Sequence, residues 1–116
     1  MIELTFNVPL FSKARPRVTT NGVFMPKQYM VNRRAMISQM KEQYEGQPLE
    51  GPLRLELNLF GEGRGDADNI LGSLLDAGNG ILWVDDRVSI ISEIEVTWEK
   101  AKKIDSKWML KIISIQ

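Results

Sequence analysis

Apolar and polar positions alternate from the start of the chain. Ile2, Leu4, Phe6 and Val8 are separated by Glu3, Thr5 and Asn7, the two-residue period of a half-buried strand, and Pro9 stops it. Leu10 to Pro26 loses this period and is punctuated by proline and glycine. Within it, Asn21-Gly22 between two short β-favouring runs predicts a hairpin. From Pro26 the spacing lengthens. Tyr29, Arg33, Met36, Ile37, Met40 and Tyr44 recur three and four residues apart, which predicts a helix that ends at Gly46. After the turn signals Pro48 and Gly51-Pro52, Leu53, Leu55, Leu57 and Leu59 alternate with Arg54, Glu56 and Asn58, the clearest strand in the sequence. Phe60-Gly61-Glu62-Gly63 leads into a second helix carrying Ile70, Leu71, Leu74 and Leu75 on one face. Val88, Ile90, Ile94, Val96 and Trp98 predict a long strand from about Arg87, irregular near Ser92-Glu93; Glu99 to Ser106 reads as a charged turn, and Trp108, Leu110, Ile112 and Ile115 mark a last strand. This order predicts one α+β domain over residues 1–116, with two helices on a mixed, mostly antiparallel sheet of about four main strands.

Composition narrows the chemistry. The chain has no cysteine and no histidine, which excludes disulfides, thiolate nucleophiles, imidazole-built zinc sites and histidine bases. Catalysis would rest on carboxylates, Lys/Arg or hydroxyls. No apolar run approaches the roughly 20 residues of a membrane-spanning helix, and the N-terminus alternates rather than resembling a signal peptide; the expectation is a soluble cytoplasmic protein without membrane association.

Net charge is zero, yet its distribution is uneven. Residues 1–41 hold seven basic residues against one acidic, residues 42–99 three against thirteen, and residues 100–116 five against one. An acidic middle between basic arms suits a carboxylate site that cations fill and phosphates approach. Lys13-Ala14-Arg15-Pro16-Arg17 places three cations within five residues beside a stiffening proline, a pattern suited to phosphate contact.

The acidic chemistry gathers between Arg64 and Asp86. Asp66-Ala67-Asp68-Asn69 opens the second helix, Gly78-Asn79-Gly80 closes it, and Asp85-Asp86 follows a brief apolar run. A helix over Asn69 to Ala77 would advance about 13 Å, and Ile81 to Val84, if extended, would return about 13 Å. That arithmetic predicts Asp85 and Asp86 beside Asp66 and Asp68. Taken singly, Asp66 and Asp68 also suit helix capping and Asp85-Asp86 an ordinary turn. Taken together, an all-oxygen ligand set suits a hard cation such as Mg²⁺ or Mn²⁺.

Lys13-x-Arg-Pro-Arg, the Asp-x-Asp-Asn that opens a helix with Leu-Leu-Asp-Ala, and Gly-Ile-Leu-Trp-Val-Asp-Asp before a strand together resemble the RusA family of Holliday junction resolvases, in the same order over most of the chain. The resemblance implies a homodimeric, Mg²⁺-dependent endodeoxyribonuclease that cuts four-way DNA junctions symmetrically in recombination and repair, with Mn²⁺ as a substitute ion. It implies Asp66, Asp68 and Asp86 as catalytic, metal-binding carboxylates, with Asp85 as a further ligand or a supporting group. Lys13, Arg15, Arg17 and Arg64 would contact branched DNA. Two positions depart from the family pattern. A lysine usual four residues after the second aspartate is Gly72 here, and a glutamine usual two residues after the Asp-Asp pair is Val88. Candidates for the missing cation are Arg64, Arg87, Lys100 and Lys102. Two alternatives follow: a catalytically impaired branched-DNA binding module, or a structural domain whose aspartates are caps and turns.

Overall fold

In the computed structural model of the chain, residues 1–14 and 17–115 are described, Arg17 by its backbone alone. The elements are β1 (Ile2–Phe6), a hairpin of β2 (Arg17–Thr19) and β3 (Gly22–Phe24), α1 (Lys27–Gln43), β4 (Leu53–Gly61), α2 (Ala67–Gly78), β5 (Ile91–Lys100) and β6 (Lys107–Ser114), with a short 3-10 turn at Lys103–Asp105. The main sheet has the order β1-β6-β4-β5; β4 and β5 are parallel, and the other pairs are antiparallel. The α+β fold and the mixed four-stranded sheet expected from the sequence are both present.

The strand period explains the core. Register stacks Leu4, Leu110 and Leu57 in one row, Phe6, Trp108 and Leu59 in the next, and Ile112 and Leu55 in a third, and all of these side chains are buried. Each contributes roughly 1.5–3 kcal/mol by leaving water. α1 covers this face with Tyr29, Met36 and Met40, and α2 with Ile70, Leu74 and Ala77. An ion pair between Arg33 and Asp76, 3.6 Å, links the two helices. The rows run out on β5, where Ile94 and Trp98 continue them but stay partly exposed.

The two sheet edges are treated differently. Gln43 accepts the Thr5 N–H at 2.9 Å and donates to the Thr5 carbonyl at 2.7 Å, while Gln39 accepts the Asn7 N–H at 2.7 Å. Two α1 glutamines therefore satisfy backbone groups along the free side of β1. Nothing comparable covers β5 among the described residues.

Two local expectations shift, and a third is met. The hairpin turns at Thr20-Asn21, with Gly22 opposite Thr19 rather than inside the turn. β5 begins at Ile91, because the N–H groups of Ile90 and Ile91 both donate to the Arg87 carbonyl and close a turn over residues 88–90. The irregularity near Ser92 is a bulge, since Leu53 pairs with Ile91 and Arg54 with Glu93.

Candidate functional site

The chain leaves β4 through Gly61-Glu62-Gly63-Arg64-Gly65 and enters α2 at Asp66. Gly63 (φ +84°) and Gly65 (φ +88°) hold left-handed conformations that other residues rarely adopt. A Cβ on Gly63 would lie 2.5 Å from the Trp98 ring, and one on Gly65 would lie 2.8 Å from Ser12 Oγ. Glycine there lets the backbone turn sharply and press against both neighbours, which fixes where α2 starts.

Asp66 is the N-cap residue of α2, yet its side chain makes no capping hydrogen bond. Asp68, in the first turn, accepts the Asn69 N–H at 2.9 Å through Oδ1. Both residues are exposed. The cap explanation therefore fails for Asp66, and at most one oxygen of Asp68 is engaged. Both carboxylates sit at the positive end of the helix dipole, where negative charge is favourably placed. An acid pair with free oxygens in this position is open to a hard cation.

The segment after β1 lies along the same helix. The Lys13 N–H donates to the Asn69 carbonyl at 2.8 Å, and Ser73 Oγ lies 2.9 Å from the Phe11 carbonyl. A Cβ on Gly72 would meet only the Lys13 stem, Cδ at 3.6 Å and Cβ at 3.8 Å. Lys13 thus lies across Gly72, one helical turn beyond Asp68 and on the same face. No sequence signal joins Lys13 to Gly72, since the pairing depends on how the loop after β1 packs. Arg64 is exposed and shares a surface groove with Lys100 and Lys102. Arg15 and the Arg17 side chain lie outside the described residues.

Asp85 and Asp86 are elsewhere. Ile81 to Val84 does not run back as an extended segment. The N–H groups of Ile81, Leu82 and Trp83 all point at the Gly78 carbonyl, at 3.0, 2.9 and 3.4 Å, so the chain coils tightly after α2. Trp83 is fully buried and sits where a Gly78 side chain would be, 2.5 Å from that Cβ position, with its indole N–H 3.1 Å from Asn79 Oδ1. The Val84 N–H donates to Leu49 at 3.0 Å, and Leu53 pairs with Ile91 at the head of β5. Asp86 is held between these anchors at the N-terminal end of β4, whereas Asp66 follows its C-terminal end. Leu53 and Leu59 alone are about 20 Å apart along the strand. The expected convergence of the four aspartates within one chain does not occur. Among the described residues, no group of three acidic side chains is close enough to hold one ion.

The second acidic pair is also committed differently. Asp85 accepts the Arg87 backbone N–H at 3.0 Å and Arg87 Nε at 2.8 Å, and it forms an ion pair with the Arg87 guanidinium. Those hydrogen bonds, side chain first and backbone second, hold its carboxyl below the usual range. Asp86 is exposed. Arg87 is engaged by Asp85, which removes it from the candidates for a free cation near α2.

Free carboxylates at a helix start, with a lysine across the helix and an arginine in the approach loop, define a surface suited to phosphodiesters. The sequence profile of the endodeoxyribonuclease RusA family matches residues 7–107. The chain belongs to that family, whose members are nucleases acting on branched DNA. No match emerges among curated protein sequences.

Proposed function

We propose that the protein is a divalent-metal-dependent endonuclease that resolves four-way DNA junctions by hydrolysing phosphodiesters, working as a homodimer. The observation that carries this reading is the uncapped Asp66 carboxylate beside Asp68 at the start of α2. The donor set fits the ion. Mg²⁺ is commonly held by one or two carboxylates together with waters and substrate phosphates, and Asp66 and Asp68 supply oxygen donors of that kind; Mn²⁺ is an alternative ion. When bound, such an ion lowers the pKa of a water and stabilises charge on the attacking and leaving oxygens.

The chain's own residues do the rest. Asp66 and Asp68 hold the ion, Arg64 receives a backbone phosphate from the side of β4, and Lys13 brings an ammonium group across Gly72 to the Asp68 face. Arg15 and Arg17 extend the phosphate contacts along the basic arm. Lys13 is thereby the proposed substitute for the cation that Gly72 does not supply, and a junction bound but never cut would favour the binding-module reading instead.

Asp86 is the third carboxylate of the proposed site, and its position argues for the dimer. An Asp86 held at the opposite end of β4 cannot reach Asp66 in its own chain without unwinding its anchors. A second copy, related by a twofold axis, brings its own Asp86 to the first copy's Asp66 and Asp68 and gains the reciprocal contact. Two sites so built match the two strands that a symmetric resolution must cut.

The test is a labelled four-way junction incubated with protein in Mg²⁺, in Mn²⁺ and in EDTA, beside a linear duplex of the same sequence. Paired cuts in the junction alone, and only with metal, are expected. Equal cutting of the duplex, or cutting in EDTA, overturns the reading.

A further inference from the structure

The turn between β5 and β6 starts beside the strand that feeds the acidic site. Gly61 is in register with Lys100, and the Ala101 N–H donates to the Gly61 carbonyl at 2.9 Å. From there cations run continuously around the end of the sheet. Arg64, Lys100 and Lys102 line one groove, and Arg64 and Lys103 line the neighbouring one, with Glu62 the one carboxylate in both. The trail begins two residues before Asp66. Among the described residues, none of these four cations has a carboxylate within 4.0 Å, whereas Arg33 and Arg87 each have one and Arg54 has three. Four cations against the single carboxylate of Glu62 leave a surplus of like charge, and a polyanion laid along them relieves that repulsion.

The tip of the same turn is apolar. Ile104 is 90% exposed, the most exposed of the large hydrophobic side chains among the described residues. A single exposed isoleucine is ordinary on a protein surface. This one is held out on a fixed turn, because the Asp105 N–H donates to Lys102 at 2.9 Å and the Ser106 N–H to Lys103 at 3.1 Å. Lys107 caps the other side, its ammonium 4.8 Å from the Phe60 ring centre. Ile104 shares its surface with Lys103, Lys107 and the one carboxylate of the turn, Asp105, and apolar side chains of this kind are what proteins insert between base steps.

We propose that this turn is a second DNA-contacting element, in which Lys100, Lys102 and Lys103 track the backbone of one duplex arm and Ile104 enters the stack at the branch point. The inference rests on the reading as a branched-DNA nuclease and adds to it the path by which an arm leaves the acidic site. The arm passes Arg64, crosses the ends of β4 and β5, and meets the wedge where base pairing is already interrupted and unstacking costs least.

Binding in EDTA separates this element from cleavage. The triple variant K100A/K102A/K103A and the single variant Ile104→Ala alter only exposed side chains, and thermal melting should leave the fold unchanged. Affinity for a four-way junction and for a duplex is measured across a salt series. For the triple variant, both affinities should fall, and the dependence of log K on log salt should flatten by about 0.9 for each phosphate that is no longer neutralised. For Ile104→Ala, the salt slope should hold, while the fluorescence rise of a 2-aminopurine placed at the branch point should disappear. An unchanged slope in the triple variant overturns the lysine path, and an undiminished 2-aminopurine signal overturns the wedge. Cutting by the wild type is scored separately with Mg²⁺. A protein that binds junctions, is weakened by the triple variant and never cuts would overturn the nuclease reading while supporting this DNA path.

Discussion

Asp66-x-Asp68 and Asp85-Asp86 look alike in the sequence, and the fold uses them in opposite ways. The first pair opens a helix with no capping hydrogen bond from Asp66 and with one oxygen of Asp68 on the Asn69 N–H, so most of its oxygens stay free. In the second, Asp85 is bound by its own neighbour Arg87 through side chain and backbone, and only Asp86 stays unengaged. The difference comes from what each pair precedes. Asp66 and Asp68 stand at a glycine-rich strand-to-helix junction, where the backbone is pinned by Trp98 and Ser12 and the carboxylates project outward. Asp85 and Asp86 stand in a loop that must coil around Trp83 and enter a parallel strand, and Arg87 ties that loop down. A carboxylate is available for chemistry only where local structure does not already employ it.

The largest expected effect breaks the first pair. Asp66→Asn or Asp68→Asn should cut cleavage by at least about a hundredfold, the scale of removing one main electrostatic interaction in a reaction site. Junction binding in EDTA should be unchanged or stronger, because negative charge near the phosphates is reduced. Undiminished cutting by either variant would remove Asp66 and Asp68 from the site. Mixing then tests whether Asp86 works across a dimer. Asp68→Asn and Asp86→Asn proteins, each inactive alone, should regain nicking when unfolded together and refolded, because about a quarter of the sites in random dimers then hold both intact halves. If the mixture stays as inactive as its components, the two ends of β4 do not meet across a dimer.

A smaller effect, of about ten- to a hundredfold in turnover, should follow Lys13→Ala, in the range of losing a group that orients or neutralises beside a metal site. The diagnostic is second-site rescue. Gly72→Lys added to Lys13→Ala puts an ammonium back on the Asp68 face from the helix itself, and it should restore turnover rather than merely affinity. The helix tolerates the change, since the space at Gly72 is at ordinary van der Waals distance from Lys13 and leaving glycine stabilises a helix interior by up to about 1 kcal/mol. A double variant no more active than Lys13→Ala would show that Lys13 contributes affinity alone.

Much of this arrangement is legible in the sequence. Alternation along Ile2–Val8 and Leu53–Leu59 and the three-four spacing from Tyr29 to Tyr44 reported which side chains meet the core, because burial imposes those periods. The free state of Asp66 was not legible. An aspartate before a helix reads as a cap, and whether its oxygens turn inward depends on how Gly63 and Gly65 set the approach. The place of Asp86 departs from the sequence expectation for a related reason. Ile81-Leu82-Trp83-Val84 has the composition of a strand, but Trp83 fills the space beside Gly78, and that tertiary fit coils the segment instead. The overlap of Lys13 with Gly72 joins residues far apart in the chain and left no periodic trace.

The smallest effect sharpens the second pair. Arg87 holds the Asp85 carboxyl below its usual range, so any stability the pair adds is present above the unfolded carboxylate pKa and is lost as pH falls through the lowered folded value. Arg87→Ala should therefore melt slightly earlier than wild type at neutral pH. The gap should close in acid once Asp85 is protonated in both proteins, and it should narrow in high salt because the pair faces solvent. Asp85→Asn should behave the same way and keep metal-dependent cutting close to the wild-type rate, in contrast to Asp66→Asn. Loss of cutting in Asp85→Asn with no change in melting would mean that Asp85 gives up Arg87 to serve the reaction, and the contrast between the two acidic pairs would then belong to the free protein alone.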